Sequence, residues 1–212
     1  MKIDPKLKNR LRFNQLESDA RDRLRRFYHL TSAAAAWQIV RSGFIWSAAP
    51  DLCPNFTPNK SSKPDLGAAA EICLRFQFSG AVHLVPEEAD ASAYVPNALY
   101  LHLYEWPDMF GLQGMRVARL RVSSPTSSGL ECIGFQASEA FMQQCKTDIA
   151  SALLLKQLQR MTAITRSVQV PKDAAQRDAI LTEFPAPHFS ALEIYQTRFA
   201  LWRRRLQKRF SP

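Results

Sequence analysis

Apolar residues along the middle of the chain alternate with polar ones or cluster in short runs, which is typical of β-strands. Strands are predicted at 27–30, 44–47, 73–78, 81–85, 99–104, 116–122, 130–135 and 191–195. Spacings of three and four residues predict helices at 33–41 and 138–161, with shorter helical segments at 66–71 and 86–93. Together the elements predict a mixed α+β domain with a largely antiparallel sheet.

The segment 27–47 carries clear helix boundary signals. Thr31 or Ser32 stands where an N-cap belongs, and Gly43 stands just after the last helical residue. We therefore expect a strand, a capped helix, a glycine turn and a second strand in this order.

Charge is concentrated at the two ends of the 212-residue chain, which has 28 Lys and Arg against 19 Asp and Glu. Residues 1–26 hold nine basic and four acidic residues, and residues 196–212 hold six basic residues and no acidic one. This pattern divides the chain into a basic N-terminal helical arm (1–26), a core (27–195) and a basic C-terminal helix (196–212). The 46% hydrophobic content is sufficient for a packed core and excludes wholesale disorder.

The C-terminal helix is predicted to be amphipathic. Phe199, Trp202, Leu206 and Phe210 recur at spacings of 3, 4 and 4, so this face is expected to dock on the core. The cations expected to bind nucleic acid are Arg203, Arg204, Arg205, Lys208 and Arg209. Such a surface attracts DNA or RNA through counterion release, or else an acidic membrane surface or an acidic protein partner. Alternatively, the helix is only a solvated amphipathic surface.

Several classes of protein lack support in the sequence. No apolar run approaches the ~20 residues that a transmembrane helix needs, and the basic N-terminus lacks the hydrophobic region of a secretory signal. Neither the GxGxxG nor the GxxxxGK[ST] phosphate-binding motif is present. No CxxC or zinc-ligand spacing occurs, so we expect reduced thiols, no metal and a cytoplasmic location. The four cysteines are Cys53, Cys73, Cys132 and Cys145.

Three stretches resemble ADP-ribosyltransferase-like domains. FYHLTSAAAAWQIVRSGFIWS (27–47) resembles their opening, in which a strand ends in His-x-Thr and a helix and a glycine follow. AVHLVPEEADASAYV (81–95) is similar to their second motif, and its histidine is most like that of the RNA 2′-phosphotransferases. TEFPAPHFSALEIY (182–195) resembles the late strand that starts with the catalytic glutamate.

The resemblance implies a split antiparallel sheet with flanking helices, and a reaction that consumes NAD. His29 would hydrogen-bond the adenosine-side ribose, and Thr31 would support the pocket. Glu183 and His83 would be catalytic: His83 would stack on nicotinamide, and Glu183 would bind the nicotinamide ribose and stabilise the oxocarbenium-like charge. Glu131, on a more regular strand, is the alternative catalytic carboxylate.

Two functions follow as hypotheses. The first is a NAD-dependent ADP-ribosyltransferase-like enzyme acting on an anionic macromolecule, expected to be DNA or RNA, a design that fits a toxin or defence factor. It requires His29, His83 and Glu183 to converge on one cleft. The second is a non-catalytic protein that binds nucleic acid or an acidic partner through its basic terminal helices.

Overall fold

The computed structural model describes residues 26–47, 54–56, 70–79, 81–86, 98–104, 116–122 and 129–210. The strands are β1 Arg26–Thr31, β2 Asn55–Phe56, β3 Ile72–Phe78, β4 Ala81–Pro86, β5 Ala98–Tyr104, β6 Arg116–Val122, β7 Leu130–Ala137 and β8 Arg166–Ser167. The helices are α1 Ala33–Ser42, α2 Glu139–Gln144, α3 Ile149–Met161, α4 Ala174–Glu183 and α5 Ala191–Phe210. The N-terminal arm, apart from Arg26, and most of the helical segments predicted at 66–71 and 86–93 lie outside these ranges.

The strands form two four-stranded sheets, with the orders β1-β3-β7-β8 and β2-β6-β5-β4. All pairings in the first sheet are antiparallel. In the second sheet β4 pairs with β5 in parallel, and the other pairs are antiparallel. The α+β class predicted from the sequence is confirmed.

The core lies on one face of the first sheet. Phe27, Leu74 and Phe76 project from that face and are fully buried. Phe56, from β2 of the second sheet, is 3% exposed, and its ring centroid lies 6.4 Å from that of Phe27 and 5.4 Å from that of Phe76. Phe56 therefore packs the edge strand of the second sheet against the buried face of the first sheet.

The segment after β1 folds largely as its boundary signals predict. The Ser32 hydroxyl accepts a hydrogen bond from the Ala35 backbone N–H at 3.2 Å, and Gly43 adopts the left-handed conformation with a φ of 74°. The strand predicted at 44–47 is wrong. Phe44 makes only an isolated parallel bridge to Gln169, because the chain there meets a short irregular segment rather than another strand.

The prediction of one continuous helix at 138–161 is wrong. It consists of α2 and α3, separated by a turn at 145–147. Asp148 begins the second helix, because its carboxylate accepts a hydrogen bond from the Ser151 backbone N–H at 2.7 Å. A polar N-cap therefore interrupts a pattern that would otherwise continue as one helix.

The strand predicted at 191–195 is also wrong, since α5 begins at Ala191 and runs through the predicted boundary at 195/196. A capping box starts it: Glu193 donates its backbone N–H to the Ser190 hydroxyl at 3.2 Å, and its carboxylate accepts the Ser190 N–H at 3.0 Å. Phe199 and Trp202, expected to dock on the core, are 52% and 55% exposed. The helix packs on α3 through its opposite side.

Candidate functional site

His29 lies where the two sheets meet. It is half-buried on β1, and its ring centroid is 5.9 Å from that of Phe56. Thr31, two residues along and on the same face, is also half-buried, and its carbonyl accepts the Glu71 backbone N–H at 3.1 Å. Regular pairing of β1 with β3 thus holds His29 and Thr31 on the same face of the first sheet.

The N-terminus of α1, directly after Thr31, is occupied by a carboxylate from this chain. Glu71 accepts the Ala33 backbone N–H at 2.8 Å, while Ser32 accepts that of Ala35. A negative charge is stabilised at this position by the helix dipole, which also makes helix N-termini common phosphate sites. A carboxylate from this chain therefore already satisfies the helix N-terminus that follows Thr31. Glu71 could not be identified from the sequence, because the contact spans 38 positions and has no local signal.

His83 lies in the other sheet. Its backbone is on β4, opposite Tyr100 of β5. His29 and His83 therefore belong to different sheets, while the His83 side chain lies outside the described part of the structure.

Glu183 is the last residue of α4, and its side chain is exposed. The next residue, Phe184, is held against α1 because its carbonyl accepts a hydrogen bond from the Gln38 side chain at 3.0 Å. No strand follows in the described residues 184–210, which are irregular up to Ser190 and then helical. The strand context implied for Glu183 is therefore wrong, while the role of its carboxylate stays a prediction.

Glu131, the alternative carboxylate, is the second residue of β7, in the same sheet as His29. It lies opposite Gln77, which lies opposite Arg26, whereas His29 lies opposite the buried Leu74. Directly opposed residues of an antiparallel pair project to the same face. Glu131 and His29 therefore project to opposite faces of the sheet.

The sheet face that carries Glu131 is polar, and on it the guanidinium of Arg75 lies directly over Gly134. Gly134 has a φ of 145°, and an added Cβ would lie 2.8 Å from Nη2 of Arg75. A bulge at Arg75/Phe76 accompanies this arrangement. Arg75 is itself exposed, and it lies opposite Tyr28 on β1.

Two of the cysteines are unsuited to nucleophilic chemistry. Burial raises the pKa of Cys132 and of Cys145 above the ordinary value of 9.0. Both thiols are therefore protonated at neutral pH and enclosed in the core.

The basic C-terminal helix presents an exposed surface. Arg203 is exposed; Arg204, Arg205, Lys208 and Arg209 lie on α5, with side chains outside the described set. The sequence did not predict an exposed row of apolar side chains at 192, 195, 199 and 202, because it places Phe199 and Trp202 on a face expected to dock on the core. The signal that could have found it is the 3-4-3 spacing, which the strand prediction at 191–195 concealed.

Across the described ranges, no group of three or more His, Cys, Asp or Glu side chains is placed to hold a metal ion. In the same part of the chain, no helix combines the length and apolar character needed to cross a bilayer. Comparison of the sequence and structure with family models, curated proteins and solved structures finds no match.

Proposed function

We propose that the chain is a cytoplasmic NAD-dependent ADP-ribosyltransferase-like enzyme that acts on an anionic macromolecule, with DNA or RNA as the acceptor. The observation that carries the proposal is the unit of β1, the Ser32 cap, α1 and Gly43. It is the arrangement that the resemblance to the family's opening motif implies. The proposal extends to a split-sheet fold of this family, with which two four-stranded sheets are compatible.

In this proposal His29 hydrogen-bonds the adenosine-side ribose of NAD from its half-buried position beside Phe56. The negative charge of the Glu71 carboxylate excludes the pyrophosphate from the α1 N-terminus, so the pyrophosphate of NAD binds away from that end of the helix. The N-glycosidic bond breaks with its electron pair leaving on nicotinamide. The acceptor then bonds to the oxocarbenium carbon and loses its proton.

The chemistry at the nicotinamide end rests on His83 and Glu183. His83 stacks on the nicotinamide ring, and the exposed Glu183 carboxylate stabilises the positive charge that develops on the ribose. This role requires the end of α4 to approach the His29 strand when NAD binds. The Gln38–Phe184 hydrogen bond already attaches that end to α1, which follows the His29 strand.

The test follows nicotinamide release from NAD by the purified protein, alone and with DNA or RNA. His29→Ala and Glu183→Gln are each expected to lower the rate by about 100-fold or more. Glu139→Gln is the matched control, since it removes an exposed glutamate from the first turn of α2 and should leave the rate unchanged. Turnover that survives both His29→Ala and Glu183→Gln, or no turnover by the parent protein under any condition, would contradict the proposal.

A second function is favoured by the exposed cations of α5 and by the position of Glu183 at a helix end. A binding protein without catalysis would hold nucleic acid through 196–212. Six cations limit the slope of log Kobs against log salt to about −5 for duplex DNA. Deletion of 196–212 should abolish this binding and its salt dependence, and unchanged affinity would exclude it.

A further inference from the structure

The outward side of α5 carries an apolar surface, here called the outer stripe. It consists of Leu192, Tyr195, Phe199 and Trp202, which are 64%, 68%, 52% and 55% exposed. The spacings of 3, 4 and 3 place all four on one side of the helix, over about 15 Å of its length. The rings of Phe199 and Trp202 pack on each other with centroids 5.7 Å apart. Large exposed apolar patches of this kind mark interaction surfaces.

The opposite side of α5 is the one that packs on the protein. Glu193, Thr197 and Leu201 recur every four residues and are all half-buried. Glu193 also lies close enough to Gln157 and Lys156 of α3 for both side chains to lower the pKa of its carboxyl. The orientation of the helix is thus fixed by its inner side, which leaves the outer stripe facing away from α3.

Charge restricts what can cover the outer stripe. Arg198 and Arg203 are exposed and lie on its two sides in helical projection, and 196–212 contains no acidic residue. A second copy of the helix would bring like charges together, and the N-terminal arm is itself basic. The complementary occupant is therefore anionic.

The side chains of the stripe distinguish among anionic occupants. Leu192 cannot stack on a nucleobase, yet its side chain is as exposed as any aromatic member of the stripe except Tyr195. Tyr195 and Trp202 suit a coiled-coil seam poorly, since such seams favour aliphatic side chains. Aromatic and aliphatic side chains on one side of a helix, with arginines along its edges, suit the interfacial region of a bilayer.

We propose that the outer stripe docks α5, parallel to the surface, on a bilayer that contains anionic phospholipid. The apolar side chains enter the boundary between headgroups and acyl chains, and Arg198 and Arg203 contact the lipid phosphates. This surface is separate from the His29 region, and the inference does not depend on NAD turnover.

The experiment is vesicle flotation with the full-length protein, using phosphatidylcholine alone and phosphatidylcholine with 30% phosphatidylglycerol at about 0.15 M salt. Binding is expected to the mixed vesicles only. Phe199→Ser combined with Trp202→Ser should weaken binding about ten-fold or more. Replacing Arg198 and Arg203 by Gln should weaken it by about five-fold for each arginine.

Leu192→Ser and Ile164→Ser provide a matched pair. Both leucine and isoleucine are 64% exposed, but only Leu192 belongs to the stripe. Only Leu192→Ser should weaken vesicle binding, and circular dichroism should be the same for both variants.

Three outcomes would overturn the proposal. The first is that the parent protein fails to float with the anionic vesicles. The second is that vesicle binding is lost when Arg198 and Arg203 are replaced but is retained in the Phe199→Ser/Trp202→Ser protein, and that the parent protein also binds single-stranded or duplex DNA. This result would make α5 a nucleic-acid surface. The third is self-association that the stripe variants abolish, which would make it an interface between copies.

Discussion

Replacing Gly134 by alanine is expected to destabilise the protein by about 2–3 kcal/mol, because its backbone conformation is one that alanine rarely adopts. The φ of 145° lies beyond the left-handed helical region that other residues sometimes enter. The new methyl group would also lie 2.8 Å from Nη2 of Arg75, but this atom ends a flexible side chain and can move away. Backbone strain should therefore account for most of the loss.

Urea unfolding of the parent protein and four variants separates the two causes. Gly134→Ala should lose about 2–3 kcal/mol, Arg75→Ala should change stability by less than about 0.5 kcal/mol, and the double variant should be no more stable than Gly134→Ala alone. Gly43→Ala is the control: its φ of 74° lies close to the left-handed helical region, and the nearest atom is 3.5 Å away, so a loss of about 1 kcal/mol is expected. If Arg75→Ala restores more than half of the stability lost in Gly134→Ala, the contact and not the backbone is responsible.

Three further predictions concern the core, α5 and the thiols. Phe56→Ala should cost about 3–5 kcal/mol in urea unfolding, since it removes the ring that packs one sheet on the other, whereas a loss below about 1 kcal/mol would mean that the sheets do not depend on it. Hydrogen bonds from the backbone N–H and hydroxyl of Ser190 lower the pKa of Glu193 from its ordinary value of 4.5. The resulting stabilisation of α5 should be present above about pH 4.5 and lost as the pH falls through the lowered pKa; Ser190→Ala should remove this dependence in amide exchange of the first turn. Cys132 and Cys145 should resist iodoacetamide at pH 7 until the protein is unfolded, and mass spectrometry of the native protein would reveal early labelling if this is wrong.

Local signals were sufficient for much of the fold. The strand–helix unit after Arg26 could be predicted because Ser32 and Gly43 act on neighbours within four residues. The prediction of a strand at 191–195 failed although a local signal existed: Ser190 and Glu193 form the S-x-x-E spacing of a capping box. A short apolar run alone fits a strand as well as a helix, and here the cap decides between them.

Long-range pairing could not be predicted in the same way. Only two residues separate β3 from β4, the spacing of a hairpin, yet the two strands belong to different sheets. The position of Glu71 at the start of α1 likewise depends on tertiary contacts that a single sequence does not encode locally. The same limit applies to the site. The residues that resemble a known motif could be named, but the face of the sheet on which Glu131 stands follows only from strand register.

The helix with the outer stripe is linked to the His29 strand by a short series of polar contacts. Gln157 of α3 lies near Glu193 of α5, whose carboxyl pKa it helps to lower, and it accepts the indole N–H of Trp37 at 2.6 Å. Trp37 belongs to α1, which begins two residues after β1 ends. Rotation of α5 about its axis would move Glu193 away from Gln157 and turn the outer stripe away from its present direction. Docking of the stripe on a surface would therefore also set the orientation of β1 and His29 relative to that surface, so the proposed docking helix would orient the proposed NAD site as well as recruit it.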